Sequence, residues 1–299
     1  MMQEHASAAT DPASTPVLEL AGARATIRLN RPKHLNRLQP DDLETLLKLF
    51  DRIEADASIR VLVLTGTGRA FSAGYDLGSI AERAANAQEQ TAGSAFEVVV
   101  NRLEDLGVPT ICRLNGGVYG GATDLALACD FRIGVDTAEM FMPAARLGLH
   151  YYKSGIARYV SRLGVDNAKR LFLTAERIGA AEMLRIGYLT AMAPAEALDQ
   201  EVDRLAGMLA ANAPVAMAGM KRTINEFARG RLDEEVGKLA GVLAGNAPLA
   251  MRGMKRTINE FARGKLDEAA ADRRARDSMR GAEIKEGVRA FGEKRPPKF

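Results

Sequence analysis

Cysteine is nearly missing from this chain. Cys112 and Cys129 are the only two in 299 residues, too few to staple a scaffold, and their apolar surroundings predict free buried thiols in a reducing compartment. Histidine is scarce too, with three in all, and no Cys/His cluster has metal-ligand spacing, so no metal is expected. No apolar run reaches the roughly eighteen residues that a membrane-spanning helix needs. A surplus of one charge is also lacking: 41 Lys and Arg against 38 Asp and Glu leave +3, too balanced for a dedicated nucleic-acid binder. Residues 1–16 are rich in Ala, Ser, Thr and Pro and contain no Lys or Arg. They do not read as a secretory or transit peptide, and a disordered N-terminus on a cytoplasmic protein is expected. The phosphate-binding Gly-x-x-x-x-Gly-Lys-Ser, the dinucleotide fingerprint and a nucleophile-elbow setting for Ser154 are all absent.

What the chain does have is glycine in two particular places. Residues 114–130, Leu-Asn-Gly-Gly-Val-Tyr-Gly-Gly-Ala-Thr-Asp-Leu-Ala-Leu-Ala-Cys-Asp, open as a glycine turn, close as an apolar helix and hold one carboxylate, Asp124, at the junction. The first N–H groups of a helix have no intrahelical partner, and glycine lets a ligand approach them, so such a junction can hold a developing oxyanion. Upstream, the apolar strand 60–65 delivers the chain into a second glycine turn, 66–77. Either turn alone reads as a tight strand-to-helix connection. The pair is expected to aim one N–H apiece at the same carbonyl oxygen.

Together the segments Phe-Ser-Ala-Gly-Tyr-Asp-Leu (71–77) and Asn-Gly-Gly-Val-Tyr-Gly-Gly-Ala-Thr-Asp-Leu-Ala-Leu-Ala-Cys-Asp (115–130) resemble the two signature segments of the crotonase, or enoyl-CoA hydratase/isomerase, superfamily. They match it in residue types, order and separation. The resemblance implies an α/β fold in which ββα units wind into a spiral of stacked sheets. It also implies an acyl-CoA thioester substrate, with coenzyme A as part of that substrate and no separate cofactor, and chemistry through an enolate. The oxyanion donors would be the N–H groups of Tyr75 and Gly121, with Ala73, Gly74, Asp76, Leu77, Tyr119 and Gly120 around the substrate. Asp76 also reads as a loop anchor or cap. The loop 29–38 resembles the family segment that meets the adenine and phosphates of CoA, which puts Lys33, His34 and Leu35 beside the nucleotide. The ending, 286–299, resembles the family's C-terminus, where the counterparts of Phe291 and Lys294 reach the nucleotide, often from a neighbouring subunit. A homotrimer or dimer of trimers is implied.

The pattern departs from that of a typical hydratase in its carboxylates. Of the two glutamates such enzymes carry, one is replaced by the shorter Asp124 and the other by Ala144. Asp124 also reads as a helix cap. His150, Tyr151 and Tyr152 follow directly. His150 has a side chain suited to proton transfer near neutrality, and either tyrosine hydroxyl can donate a proton. Catalytic roles therefore fall to Tyr75, Gly121, Asp124, His150 and Tyr151, with Tyr152 and Ala144 as pocket wall. Enoyl-CoA hydration or its reverse is the simplest reading. Tyr151 beside a missing glutamate also looks like the branch that decarboxylates methylmalonyl-type thioesters, and a lone aspartate looks like that of isomerases. A non-catalytic acyl-CoA-binding or scaffold relative is the reading of another class.

Along the chain, a hairpin is expected over 17–29, a helix over about 40–56, and strands at 59–64, 110–113 and 130–134. Helices are expected over 79–106 and from 164. The domains read as the disordered 1–16, a spiral core 17–204 and a helical C-terminal region 205–299. That last region repeats itself: residues 205–234 recur as 239–268 at an offset of 34, with 25 of 30 positions identical. A tandem duplication within a helical segment fits better than a solenoid, which needs three or more units. Only one copy can occupy the packing site of the fold, so the other is expected to extend or loop out, exposing the region 230–245.

Overall fold

A computed structural model describes residues 14–76, 92–229, 247–263 and 265–298 of the chain. The expected N-terminal disorder falls chiefly on residues outside this set; Leu77, the first part of the helix expected over 79–106 and all of the expected exposed connection at 230–245 lie outside it too. The chain divides into two units, 1–229 and 230–299.

In the first unit, β1 (Val17–Ala21) and β2 (Arg24–Leu29) form the expected antiparallel hairpin. Helix α1 (Pro40–Ala55) starts after Gln39, with Asp42 N–H donating to the Gln39 carbonyl at 3.0 Å and the Asp42 carboxylate accepting from Gln39 N–H at 2.8 Å. Both exchanges satisfy amides that the helix itself cannot. Its buried face carries Leu43, Leu46, Phe50 and Ile53, the spacing of an amphipathic helix laid on a core.

The next segments repeat one theme. β3 (Val61–Gly66) leads into β4 (Ala70–Ser72) and later α2 (Ala92–Glu104); β5 (Thr110–Leu114) leads into β6 (Gly117–Tyr119) and α3 (Gly121–Ala128); β7 (Phe131–Val135) leads into β8 (Glu139–Phe141) and α4 (Lys153–Leu163). Each turn of this ββα spiral gives one strand to each of two sheets. The first sheet runs β1-β2-β3-β5-β7-β10, with β10 at Ala191–Ala193, and is parallel beyond β2. The second runs β4-β6-β8-β9, with β9 (Arg177–Gly179) antiparallel to β8.

β3 is buried along its whole length, which explains its unbroken apolar run: a parallel strand covered on both faces has no polar side. Cys112 and Cys129 are free and buried, as expected. The helix expected from 164 is α5 (Val165–Lys169), which widens into a π-turn over Arg170–Thr174 and stops at Ala175, whose φ is +46°. α6 (Ala180–Arg185), α7 (Leu198–Ala211) and α8 (Pro214–Ala228) complete the unit. In the second unit stand α9 (Pro248–Ala262), α10 (Glu268–Arg280) and α11 (Ala282–Gly292). α8 and α9 are the same stretch of the two repeat copies, bounded at the same positions 34 residues apart. Among the described residues no helix is long and apolar enough to cross a membrane.

Candidate active site

The first glycine turn is held from one side by the loop before α1. Asn36, buried and at φ +52°, donates its side-chain amide to the carbonyls of Thr67 and Ala70 at 2.9 Å. Ala73 N–H donates to Leu35 O at 2.7 Å, and Ser72 Oγ to Asn36 O at 2.7 Å. Leu38 N–H then donates to Gly74 O at 2.8 Å while Asp76 N–H donates to Leu38 O at 3.0 Å. In this parallel pairing the amide of the intervening Tyr75 turns to the side opposite Leu38.

Gly74, at φ +88°, lies against the second turn. A Cβ there would sit 2.6 Å from Tyr119 O and 2.9 Å from the amide nitrogen of Gly121, so only glycine allows this approach. Gly121 is the first residue of α3, after the cap Gly120, where an N–H has no intrahelical acceptor. The two turns therefore meet.

A cavity of about 450 Å³ opens beside them, with Tyr75, Phe96, Gly121, Ala144, Tyr151 and Tyr152 among its walls. Its lining is largely apolar and aromatic: the Tyr75 and Phe96 rings lie 6.0 Å apart, and Tyr151 stacks on Tyr152 at 4.4 Å.

Helix α3 is buried from Ala122 to Ala128. Its carboxylate, Asp124, is fully buried and ion-paired with Arg158 of α4, whose Nη1 lies 2.8 and 2.9 Å from the two carboxylate oxygens. Tyr152 Oη donates to Asp124 Oδ2, and Tyr151 Oη stands 3.5 Å from the same oxygen. Gly155 makes room for this meeting, because a Cβ there would lie 2.4 Å from the Tyr151 ring and 2.8 Å from Asp124 Oδ2.

Arg158 reaches the other way as well. Its Nη2 donates to Asn101 Oδ1 at 2.7 Å and to Glu104 Oε2 at 3.1 Å. Arg162 and Arg229 also hold Glu104, through Nη2 at 2.9 Å and Nε at 3.1 Å. Burial alone would raise the Glu104 carboxyl, but the Arg158, Arg162 and Arg229 guanidiniums outweigh it and hold it at about 2. Burial first, and then the Asp124 charge, push the Tyr151 and Tyr152 phenols well above the usual tyrosine range. Both stay protonated donors at neutral pH.

The candidates from sequence separate accordingly. Tyr75, Ala73, Tyr119, Gly120, Gly121, Ala144, His150, Tyr151 and Tyr152 all line the cavity, and Asp124 stands behind the two tyrosines. His150 is exposed. Asp124 is the fourth residue of α3 and not its cap, which removes the capping alternative. Asp76 forms a 3.2 Å ion pair with Arg37, as a loop anchor does. Lys33 and His34 are exposed on a 3-10 turn, Pro32–His34, and Leu35 ties that turn to Ala73. Phe291, 87% exposed, and Lys294 belong to the second unit.

Sequence reasoning missed Arg158, Glu104, Asn36 and Arg229. One signal was present: Arg158 shares a face of α4 with Gly155, Tyr159 and Leu163, all buried, and an arginine in an otherwise apolar stripe calls for a buried counter-charge.

The family model for enoyl-CoA hydratase/isomerase matches residues 20–237. The chain belongs to that family. It is 34% identical over 214 residues to the short-chain-enoyl-CoA hydratase of Clostridium acetobutylicum, an alignment covering 70% of this chain and 80% of that one. To the crotonyl-CoA hydratase of Syntrophomonas wolfei it is 32% identical, covering 70% and 81%. Among solved structures, the enoyl-CoA hydratase from Bacillus anthracis superposes with a TM-score of 0.66 at 27% identity, over 95% of this chain and 98% of that one.

Proposed function

We propose that this chain hydrates an enoyl-CoA thioester, with the amides of Tyr75 and Gly121 holding the thioester oxygen and the Tyr152–Asp124 pair moving the proton. One arrangement carries the reading: two facing glycine turns beside a cavity, and in the wall of that cavity a tyrosine hydroxyl on a buried carboxylate.

Two amide donors on the carbonyl oxygen draw electron density from the β-carbon. They bind the enolate more tightly than the ground-state thioester, which is what lowers the barrier, and one such donor is worth about 3 kcal/mol. Water attacks the β-carbon while one of its protons passes to Tyr152 Oη and the Tyr152 proton passes to Asp124. The reverse shift returns a proton to the α-carbon of the enolate, so the product has gained one H and one OH. With Ala144 at the second position, a single carboxylate serves both halves of the addition. Arg158 stays paired with that carboxylate and keeps both of its oxygens in place. Sequence favoured Tyr151 as the donor. The closer contact of Tyr152 with Asp124 supports Tyr152 in that role.

The nucleotide end of the thioester is assigned to Lys33 and His34. Phe291 and Lys294 would be contributed by a neighbouring copy in a trimer, which sedimentation tests. For the reaction, Asp124→Asn and Tyr152→Phe are each expected to lower kcat on crotonyl-CoA by about 10²- to 10⁴-fold, and Tyr151→Phe by less. Loss of enoyl absorbance is the measurement. A wild-type protein that leaves crotonyl-CoA intact, or variants that match it, would sink the reading.

A further inference from the structure

Helix α8 ends at the same ion network that holds Asp124. Arg229, the residue just after it, donates through Nε to Glu104 Oε2 at 3.1 Å, and its Nη1 lies 2.7 Å from Asp105. Asn225, one turn earlier and buried, donates to the carbonyl of Glu104 at 3.0 Å. Lys221, a further turn back, pairs with Asp130 at 2.8 Å and donates to Val108 O at 2.9 Å. From Arg229 the contacts run unbroken through Glu104, Arg158 and Asp124 to Tyr152. In the second repeat copy the same three residues are Lys255, Asn259 and Arg263, and all three are exposed.

We propose that Arg229 is a positioning residue for the reaction, acting on Asp124 through Glu104 and Arg158, and that its twin in the repeat, Arg263, has no such role. This rests on the hydratase reading for its kinetic form, but the network itself does not depend on the substrate. Arg158 and Arg229 share one oxygen of Glu104. While Arg229 neutralises part of that charge, Arg158 remains free to hold both oxygens of Asp124. When Arg229 is removed, Glu104 draws Arg158 toward itself and its own field reaches Asp124 less compensated. Both changes weaken the pairing of Arg158 with Asp124 and leave the carboxylate less firmly placed against Tyr152. The other titratable groups facing Asp124 are Tyr151 and Tyr152 before α4, Tyr159 on α4, and Tyr188 beyond it. All four are held protonated by burial, so none of them changes charge at neutral pH.

The test compares Arg229→Ala, Arg229→Lys and Arg263→Ala in the full-length chain. Arg229→Ala is expected to lower kcat on crotonyl-CoA about tenfold with KM nearly unchanged, and to move the acidic limb of the kcat profile to higher pH. Arg229→Lys, which keeps the charge, recovers most of both. Arg263→Ala changes neither. In parallel, the Asp124 carboxyl is followed by carbon NMR without substrate, assigned by its loss in Asp124→Asn. Its signal moves in Arg229→Ala even if crotonyl-CoA is the wrong substrate, which separates failure of the reaction assignment from failure of this inference. An unmoved acidic limb and an unmoved carboxyl signal in Arg229→Ala, or an equal change in Arg263→Ala, overturns it.

Discussion

Helices α8 and α9 share Gly-Met-Lys-Arg-Thr-Ile-Asn-Glu-Phe-Ala and the same first residue, a proline. Local structure follows sequence in both: each is a 15-residue helix, and each keeps the same internal ion pair, Arg222 with Glu226 at 2.7 Å and Arg256 with Glu260 at 2.8 Å. Beyond their own helices they part. In the first copy, Lys221, Asn225 and Arg229 find Asp130, Val108 O, Glu104 and Asp105. In the second, Glu260 is bound at 2.6 Å by Arg274 of α10, while Lys255, Asn259 and Arg263 are exposed. Helical propensity and i,i+4 pairing are properties of the segment itself. Burial of its polar residues is a property of the surface it meets.

The sharpest way to break this comparison is at the two acids that receive the helices' cations. Glu104→Ala leaves Arg158 short of its partner inside the core and should cost about 3–5 kcal/mol, the range for unpairing a buried charge. Glu260→Ala removes a partly exposed pair, screened by solvent, and should cost far less. Denaturant unfolding of both variants measures the gap, and similar costs would mean that the two helices are equally embedded.

Acid should sharpen the same contrast. With its carboxyl held at about 2, below the usual 4.5, Glu104 contributes stability that is fully present above the unfolded value. That stability is lost as pH falls through the folded one. Wild type should therefore lose stability between about pH 4.5 and 2 more steeply than Glu104→Gln, read from melting temperature against pH. The smallest effect compares the asparagines: Asn225→Ala should cost about 1 kcal/mol, having lost a buried hydrogen bond, and Asn259→Ala within about 0.5 kcal/mol.

The site was partly legible before any coordinates. Gly74 and Gly121 were marked by local rules, since a turn needing positive φ or close backbone approach admits little but glycine, and a helix start must expose amides. The alternation of strands and helices followed from apolar runs bounded by turns, while the ββα spiral was implied only by the family resemblance. Asp124 stood out by the company it keeps in the chain. The choice between Tyr151 and Tyr152 was not legible, because adjacent residues differ in direction only once the backbone before α4 is set. Nor was the exposure of His150. Glu104 and Arg158 lie 54 residues apart and Glu104 and Arg229 lie 125 apart, and no local pattern pairs a carboxylate with a guanidinium at such range.

By itself, then, the sequence determined the family, the two turns, the repeat of 205–234 at 239–268 and the loss of a second carboxylate at Ala144. These depend on backbone geometry and side-chain type within a few residues. Only the tertiary structure decided which tyrosine rests on Asp124, which arginine holds it, and which of two near-identical helices has its polar face buried. Those outcomes depend on what lies across the fold, because a charge is buried only where distant parts of the chain bring it a partner.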